Sequence, residues 1–247
     1  MASLKVYYDL LSQPSRAIYI FLKINNIPFI DKPVALRKVE HKNEEYTKVN
    51  CFQKVPAIDD DGFVLRESVA ILKYLTIKNN LADHWYPKDF HTQLRVDEYL
   101  HWQHFNTRLN AAMVFRNLLL EPQLTGKPIS WKRVEFFKNE LATTVEHLDK
   151  AFLQDGPYLA GQKKISICDI LGACELMQLN AVHEEACYES NSNVNSWMQR
   201  VKKDLSPHFD EAHKIVYRAR EVFGESKTIF QWALHSLLQK QIGVHGA

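Results

Sequence analysis

Ser12, Gln13, Pro14 and Ser15 follow directly on the short apolar and aromatic run Leu4 to Tyr8 and the loop Asp9 to Ser12. Pro14 is pre-set for a first helical turn, and Ala17, Ile18, Ile20, Phe21 and Ile24 then recur at helical spacing. The four residues therefore open a helix straight after a strand. Thiol–disulfide enzymes place C-x-x-C at such a helix mouth, because free N–H groups and the positive helix end depress a thiol pKa. Here both cysteine positions are serine, which excludes dithiol exchange by this motif: there is no sulfur to form a mixed disulfide. What survives is a site that favours an anion. A hydroxyl there has no G-x-S-x-G elbow and no adjacent base to make it a nucleophile. It can still donate a hydrogen bond to a thiolate carried by another molecule. A free thiol of pKa about 8.5 is mostly protonated at neutral pH, and each unit of depression reflects about 1.4 kcal/mol of preference for the anion. The same spacing is met by a serine that only caps its helix.

Two further features stand at similar junctions. Lys54-Val55-Pro56 precedes a strand, where a cis proline would turn the chain and leave the Val55 backbone groups facing outward, free to pair with a peptide-like ligand as an added strand. Glu67-Ser68 opens the next helix, a second helix mouth suited to a carboxylate or, again, simple capping.

The elements that must position these residues divide the chain of 247 residues in two. Over 1–80, strands at Leu4 to Tyr8, Pro28 to Val34, Ala57-Ile58 and Phe63 to Leu65 alternate with helices after Gln13, at His41 to Asn50 and at Glu67 to Lys78. Asp59 to Gly62 is a hairpin turn between its two apolar pairs. The order β-α-β-α-β-β-α, with its functional helix mouth after the first strand, is thioredoxin-like. Residues 79–90 read as a linker. From 91 to 247 the pattern is all-helical: roughly His91 to Leu120, then Val134 to Phe152 at three- and four-residue spacing, then a helix after the capping box Ser166-x-x-Asp169, then Ser196 to Lys203, Pro207 to Phe223 and Ser226 to Gln239. The fold class expected is thus an α/β thioredoxin-like unit followed by an all-α unit.

Composition narrows the function. A net charge of +2 argues against a nucleic-acid face, and no run of 18 apolar residues is present to span a membrane. The start of the chain carries no apolar signal segment, and Cys51, Cys168, Cys174 and Cys187 form no C-x-x-C, so reduced thiols in a cytoplasmic protein are expected. No Gly-rich phosphate loop occurs. Asp97, His101 and His104 share a helical face but lack a fourth ligand, so no metal is expected. Trp85, Trp102, Trp131 and Trp197 are assigned to core packing.

Taken together, Tyr8-Asp9-Leu10-Leu11-Ser12-Gln13-Pro14-Ser15-Arg16-Ala17, the Lys54-Val55-Pro56 turn, Glu67-Ser68-x-Ala70-Ile71-x-x-Tyr74-Leu75 and Tyr158-Leu159-Ala160-Gly161 through Asp169 resemble the cytosolic glutathione transferases. Ser-Gln-Pro-Ser-Arg, Asp83-His84-Trp85-Tyr86-Pro87 and Asp97-Glu98-Tyr99-Leu100 resemble the theta class in particular. The resemblance implies an enzyme of detoxification that uses glutathione as co-substrate, without a metal, against small-molecule electrophiles such as halides, epoxides and hydroperoxides. It implies a cytoplasmic homodimer with no nucleic-acid or membrane partner. Ser12 would donate to the glutathione sulfur with Gln13 beside it. His41 and Lys54 would hold the glycyl carboxylate, Val55 the cysteinyl backbone, and Glu67 and Ser68 the γ-glutamyl end. Arg108 and Trp232 would face the electrophile, Trp232 within a cap formed beyond about Phe223. Where some relatives present a polar group near residue 105, this chain has Phe105, followed by Asn106 and Thr107. The alternative is a carrier of hydrophobic ligands with the same fold and no chemistry.

Overall fold

A computed structural model describes residues 3–224 of the chain. Its sheet has the order β2-β1-β3-β4, built from β1 (Leu4–Tyr8), β2 (Ile30–Pro33), β3 (Ala57–Asp60) and β4 (Phe63–Arg66). β1 pairs parallel with β2 (Val6 opposite Asp31) and antiparallel with β3 (Val6 opposite Ile58); β3 and β4 form the hairpin. The helices interleaved with these strands are α1 (Gln13–Ile24), α2 (Glu44–Val49) and α3 (Ser68–Lys78). This is the order expected. The hairpin closes on Asp61 and Gly62, both at positive φ (53° and 90°), the conformation that Asp-Gly adopts in a two-residue turn.

Strand alternation divides the β/α unit into layers. Leu4, Val6 and Tyr8 face the large core shared with α1 and α3, whereas Tyr7 packs against Tyr46 of α2 on the other side. Ala17, Ile18, Ile20, Phe21 and Leu22 of α1 are completely buried, at about 1.5–3 kcal/mol for each large side chain. α1 therefore has apolar contacts on two sides, the sheet and the helical array beyond.

That array begins with α4 (Phe90–Trp102), α5 (Leu109–Phe115) and α6 (Glu121–Thr125). The sequence reads this stretch as one helix from His91. The structure adds two wide, π-helical turns, His104–Arg108 and Arg116–Leu120. Each has a local cause: Asn106 donates its side-chain amide to the Trp102 carbonyl (2.8 Å) and Asn117 to that of Met113 (2.6 Å), competing with the backbone four residues on. Arg108 N–H then bonds the carbonyl of Gln103, five residues back, at 2.9 Å. Next come α7 (Trp131–His147), α8 (Ile167–Met177), α9 (Ala186–Glu189) and α10 (Ser192–Asp204), followed by α11 over 208–224. No strand occurs beyond β4 among the described residues.

Each of the eleven residues of α8 is buried, and α8 packs against α1. Its capping box is present: Asp169 accepts from Ser166 N–H (2.7 Å), Ser166 Oγ (2.9 Å), Leu159 N–H (2.8 Å) and Trp197 Nε1 (2.8 Å). One assignment to the core is corrected. Trp131 is 61% exposed, because it is the first residue of α7 and projects from the end of the array rather than into it. Among the described residues no helix is long and apolar enough to cross a membrane.

Candidate active site

The loop that carries Ser12 is fixed from both ends. Asp9 accepts from Leu11 N–H and Leu36 N–H (both 2.8 Å), and its carbonyl accepts from Ser12 N–H at 2.9 Å. Arg16, buried completely one turn into α1, donates Nη1 to the carbonyls of Leu10 (2.9 Å) and Leu11 (3.3 Å). Its Nη2 reaches the end of α8, at the Cys174 carbonyl (3.1 Å) and, one residue past the helix, Gln178 Oε1 (2.6 Å). Ser12 occupies the N-cap position, with extended dihedrals of −83° and 125°, but its hydroxyl makes no capping bond. It donates instead to the Val55 carbonyl across a long 3.4 Å. The capping alternative open in the sequence is therefore not the one adopted.

The 54–56 turn is held beside it. Tyr46 Oη and Asn50 Nδ2 both donate to the Lys54 carbonyl at 2.6 Å. The Val55–Pro56 peptide is cis, as expected, and the β3 ladder begins only at Ala57, which leaves Val55 outside it. At the third junction Glu67 precedes α3 with φ at 70°, a conformation unfavourable for a residue with a Cβ, and it makes no side-chain cap. Ser68, the first residue of α3, is buried.

The helix starts differ in their caps. α2, α4, α8 and α10 are capped by the side chains of Asn43, Asp89, Ser166 and Asn191. α1 and α3, whose starts open on one cavity, are not, and neither are α7 and α9 elsewhere in the array. The N–H groups and positive helix ends of α1 and α3 face space in which an anion is favoured.

That cavity, of about 430 Å³, is within the usual range for a small-ligand site. It brings together Ser12, Gln13, His41, Lys54, Val55, Glu67, Ser68 and Arg108, eight of the nine residues singled out in the sequence. Trp232 and the expected cap lie outside the described residues. His41 Nδ1 is buried with no partner among the described residues. Arg108 enters from the helical array at the end of the first wide turn, its Nη2 3.5 Å from Ser68 Oγ. Phe105, on the same turn, is 78% exposed, and Asn106 is occupied by the Trp102 carbonyl. Leu36, Asn50, Gln53 and Ala112 also line the cavity and were not singled out. For Asn50 and Gln53 the available signal was their place four and one residues before Lys54.

The set-aside face of α4 is used otherwise. Asp97 pairs with Lys73 at 2.6 Å and accepts from Tyr86 Oη at 3.1 Å. His104 Nδ1 lies 3.3 Å from Arg108 Nη1; burial, and then the Arg108 charge, push its pKa down, so a neutral ring accepts from the guanidinium. Among the described residues no group of three or more His, Cys, Asp or Glu side chains is placed to hold a metal.

Comparison with known proteins gives this geometry its family. Residues 2–76 match the family model of the glutathione S-transferase N-terminal domain. The chain is 39% identical to glutathione S-transferase theta-1 of Bos taurus over 95% of its own length and 98% of that protein's. It superposes with a TM-score of 0.85 on human glutathione transferase theta-2 in complex with glutathione, 36% identical, covering 90% of this chain and 91% of that one. A second human theta-class structure, holding the glutathione conjugate of 1-menaphthyl sulfate, gives the same TM-score of 0.85 at 36% identity, with 92% of each chain covered. With its fold, its serine at the first helix mouth and this similarity over nearly its whole length, the chain belongs to the theta class of the glutathione S-transferases.

Proposed function

We propose that this glutathione S-transferase (EC 2.5.1.18) holds the sulfur of glutathione as a thiolate at Ser12 Oγ and directs it at small electrophiles. The observation that carries this reading is a hydroxyl at a helix mouth that its own helix does not use. Exchanging the long bond to Val55 O for a charge-assisted bond to a thiolate is favourable, since hydrogen bonds to ions are about twice as strong as neutral ones. Val55, outside the sheet ladder, pairs with the cysteinyl backbone. His41 and Lys54 take the glycyl carboxylate, and Gln13 shapes the wall beside the sulfur. Glu67 meets the γ-glutamyl ammonium. The Ser68 hydroxyl and the uncapped N–H groups of α3 meet its carboxylate.

The electrophile enters between the 1–80 unit and the helical array that begins at α4. Sulfur forms a bond to carbon as a halide departs, or as an epoxide C–O bond opens and its oxygen takes a proton from water. The same thiolate can attack a hydroperoxide, forming an S–O bond as the O–O bond breaks and the departing oxygen takes a proton from water to leave as an alcohol. A second glutathione thiol then converts the sulfenic acid to glutathione disulfide and water. Arg108 brings a positive charge to the side where an anion leaves; the menaphthyl sulfate conjugate in a human relative supports substrates with anionic leaving groups.

The four free cysteines support a cytoplasmic location. Exposed Phe63 on the hairpin, Phe90 and Leu94 on α4 and Phe105 in the wide turn support a homodimer, which would cover them.

The test separates turnover from binding, across a panel of halide, epoxide and hydroperoxide substrates. Ser12→Ala is expected to lower kcat by roughly 10²-fold, the scale for removing one donor to a developing anion, with little change in glutathione affinity by calorimetry. Ser68→Ala is expected to weaken that affinity. Full turnover in Ser12→Ala, or unaltered binding in Ser68→Ala, refutes the corresponding assignment.

A further inference from the structure

Two carboxylates of α8 are fully buried, and their surroundings differ. Asp169 accepts four hydrogen bonds, enough to offset much of the cost of burial. Glu175 accepts one, from Arg108 Nε at 3.0 Å, and its Oε2 has no partner among the described residues. A buried ion pair engaged through a single bond contributes little to folding, because desolvation of the charges takes most of what their attraction returns. Its consequence is geometric.

Arg108 arises at the end of a wide turn, 67 residues away in sequence, and lines the cavity with its side chain 23% exposed. Glu175 holds it from behind by Nε and His104 meets it from the side at Nη1. The Nη2 edge is thereby turned to the cavity beside Ser68. Free arginine side chains sample many rotamers, and restricting one before the ligand arrives removes an entropy cost of about 0.5–1.5 kcal/mol from binding.

We infer that Glu175 is a positioning residue of the transferase: from inside the helical array it holds the Arg108 guanidinium extended into the cavity, where its free edge meets an anionic group of the bound reactants. The inference rests on the reading that Arg108 faces those reactants.

A double-mutant cycle tests it, with kcat/KM for glutathione measured at a saturating small epoxide and thermal melting followed in parallel. Glu175→Gln should lower kcat/KM by roughly two- to tenfold, the range given by losing that restriction. In an Arg108→Ala background the same change should leave kcat/KM unaltered, since the guanidinium that Glu175 positions is then gone. Equal losses in both backgrounds would mean a general structural role and overturn the inference. A loss in Arg108→Ala with none in Glu175→Gln also overturns it and leaves the site intact. No loss in Arg108→Ala removes Arg108 from the site and the inference with it. If Glu175→Gln does not fold, Glu175→Asp, which withdraws the carboxylate by one methylene, should show the same loss in the same cycle, and undiminished kcat/KM in it counts against the inference equally.

Discussion

Ser12 and Glu67 each stand where a cap belongs and each leaves its helix uncapped. An absent cap costs about 1 kcal/mol, so two at one cavity represent stability given up for open N–H groups. Asp60, on the far end of the sheet, shows the opposite arrangement. Burial raises its pKa, but hydrogen bonds from Lys78, Tyr74 and Ser3 outweigh that and hold it below the ordinary value. A carboxylate with a lower pKa folded than unfolded stabilises fully above about pH 4, the unfolded value, and loses that contribution as pH falls through the folded one. Asp60→Asn should therefore lower the urea midpoint at neutral pH and flatten its decline below about pH 4. An acid limb as steep as that of the parent protein would contradict this. The site residues legible in sequence were those with a local signature: a proline at a helix start, a Lys-Val-Pro turn, an acidic-Ser pair opening a helix. Asp9 and Arg16 were not assigned the work they do, because their partners are 27 residues away, at Leu36, and up to 162 away, at Gln178.

At the scale of elements, α8 is the support on which the site is built. It holds the Ser12 loop through Arg16 and the helical wall through Arg108. Gly172 shows how closely it is packed: an added Cβ would collide with Tyr99 Oη and come within 3.2 Å of Leu159 and Trp197. Helix propensity alone would favour alanine by about 1 kcal/mol, while overpacking a filled core costs about 1–3 kcal/mol. Overpacking wins because Tyr99 and Trp197 are themselves completely enclosed. Gly172→Ala should lower the melting temperature, and a higher one would show that α8 has room to move. Element order, the hairpin and the capping box were all legible from periodicity and turn chemistry. The wide turns were not, since an apolar stripe continues across them and only the reach of Asn106 and Asn117 to carbonyls four residues back marks where they fall. Trp131 was misread because size and apolarity do not say on which end of a helix a side chain stands.

For the whole molecule, the β/α unit and the linker meet the helical array through buried or partly buried polar ties: Arg16 on Gln178, Lys73 on Asp97, and, from the linker, His84 Nδ1 on the Ile165 carbonyl at 2.6 Å. The distance between Ser12 and Arg108 is set by that junction. If the exposed phenylalanines of the hairpin and α4 are covered by a second copy, light scattering should give the mass of a dimer, and Phe63→Lys with Phe90→Lys should shift it toward the monomer; a parent protein of monomer mass would reject that assembly. The proposed function requires the assembled site to hold negative charge on a sulfur that the chain does not itself supply. Thiolate ultraviolet absorbance of bound glutathione, titrated against pH, measures this directly. The bound thiol should ionise well below the free value of about 8.5, and Ser12→Ala should raise its pKa by about 1 to 2 units, the equivalent of one hydrogen bond to a charged group. Identical titration curves for the two proteins would contradict the account.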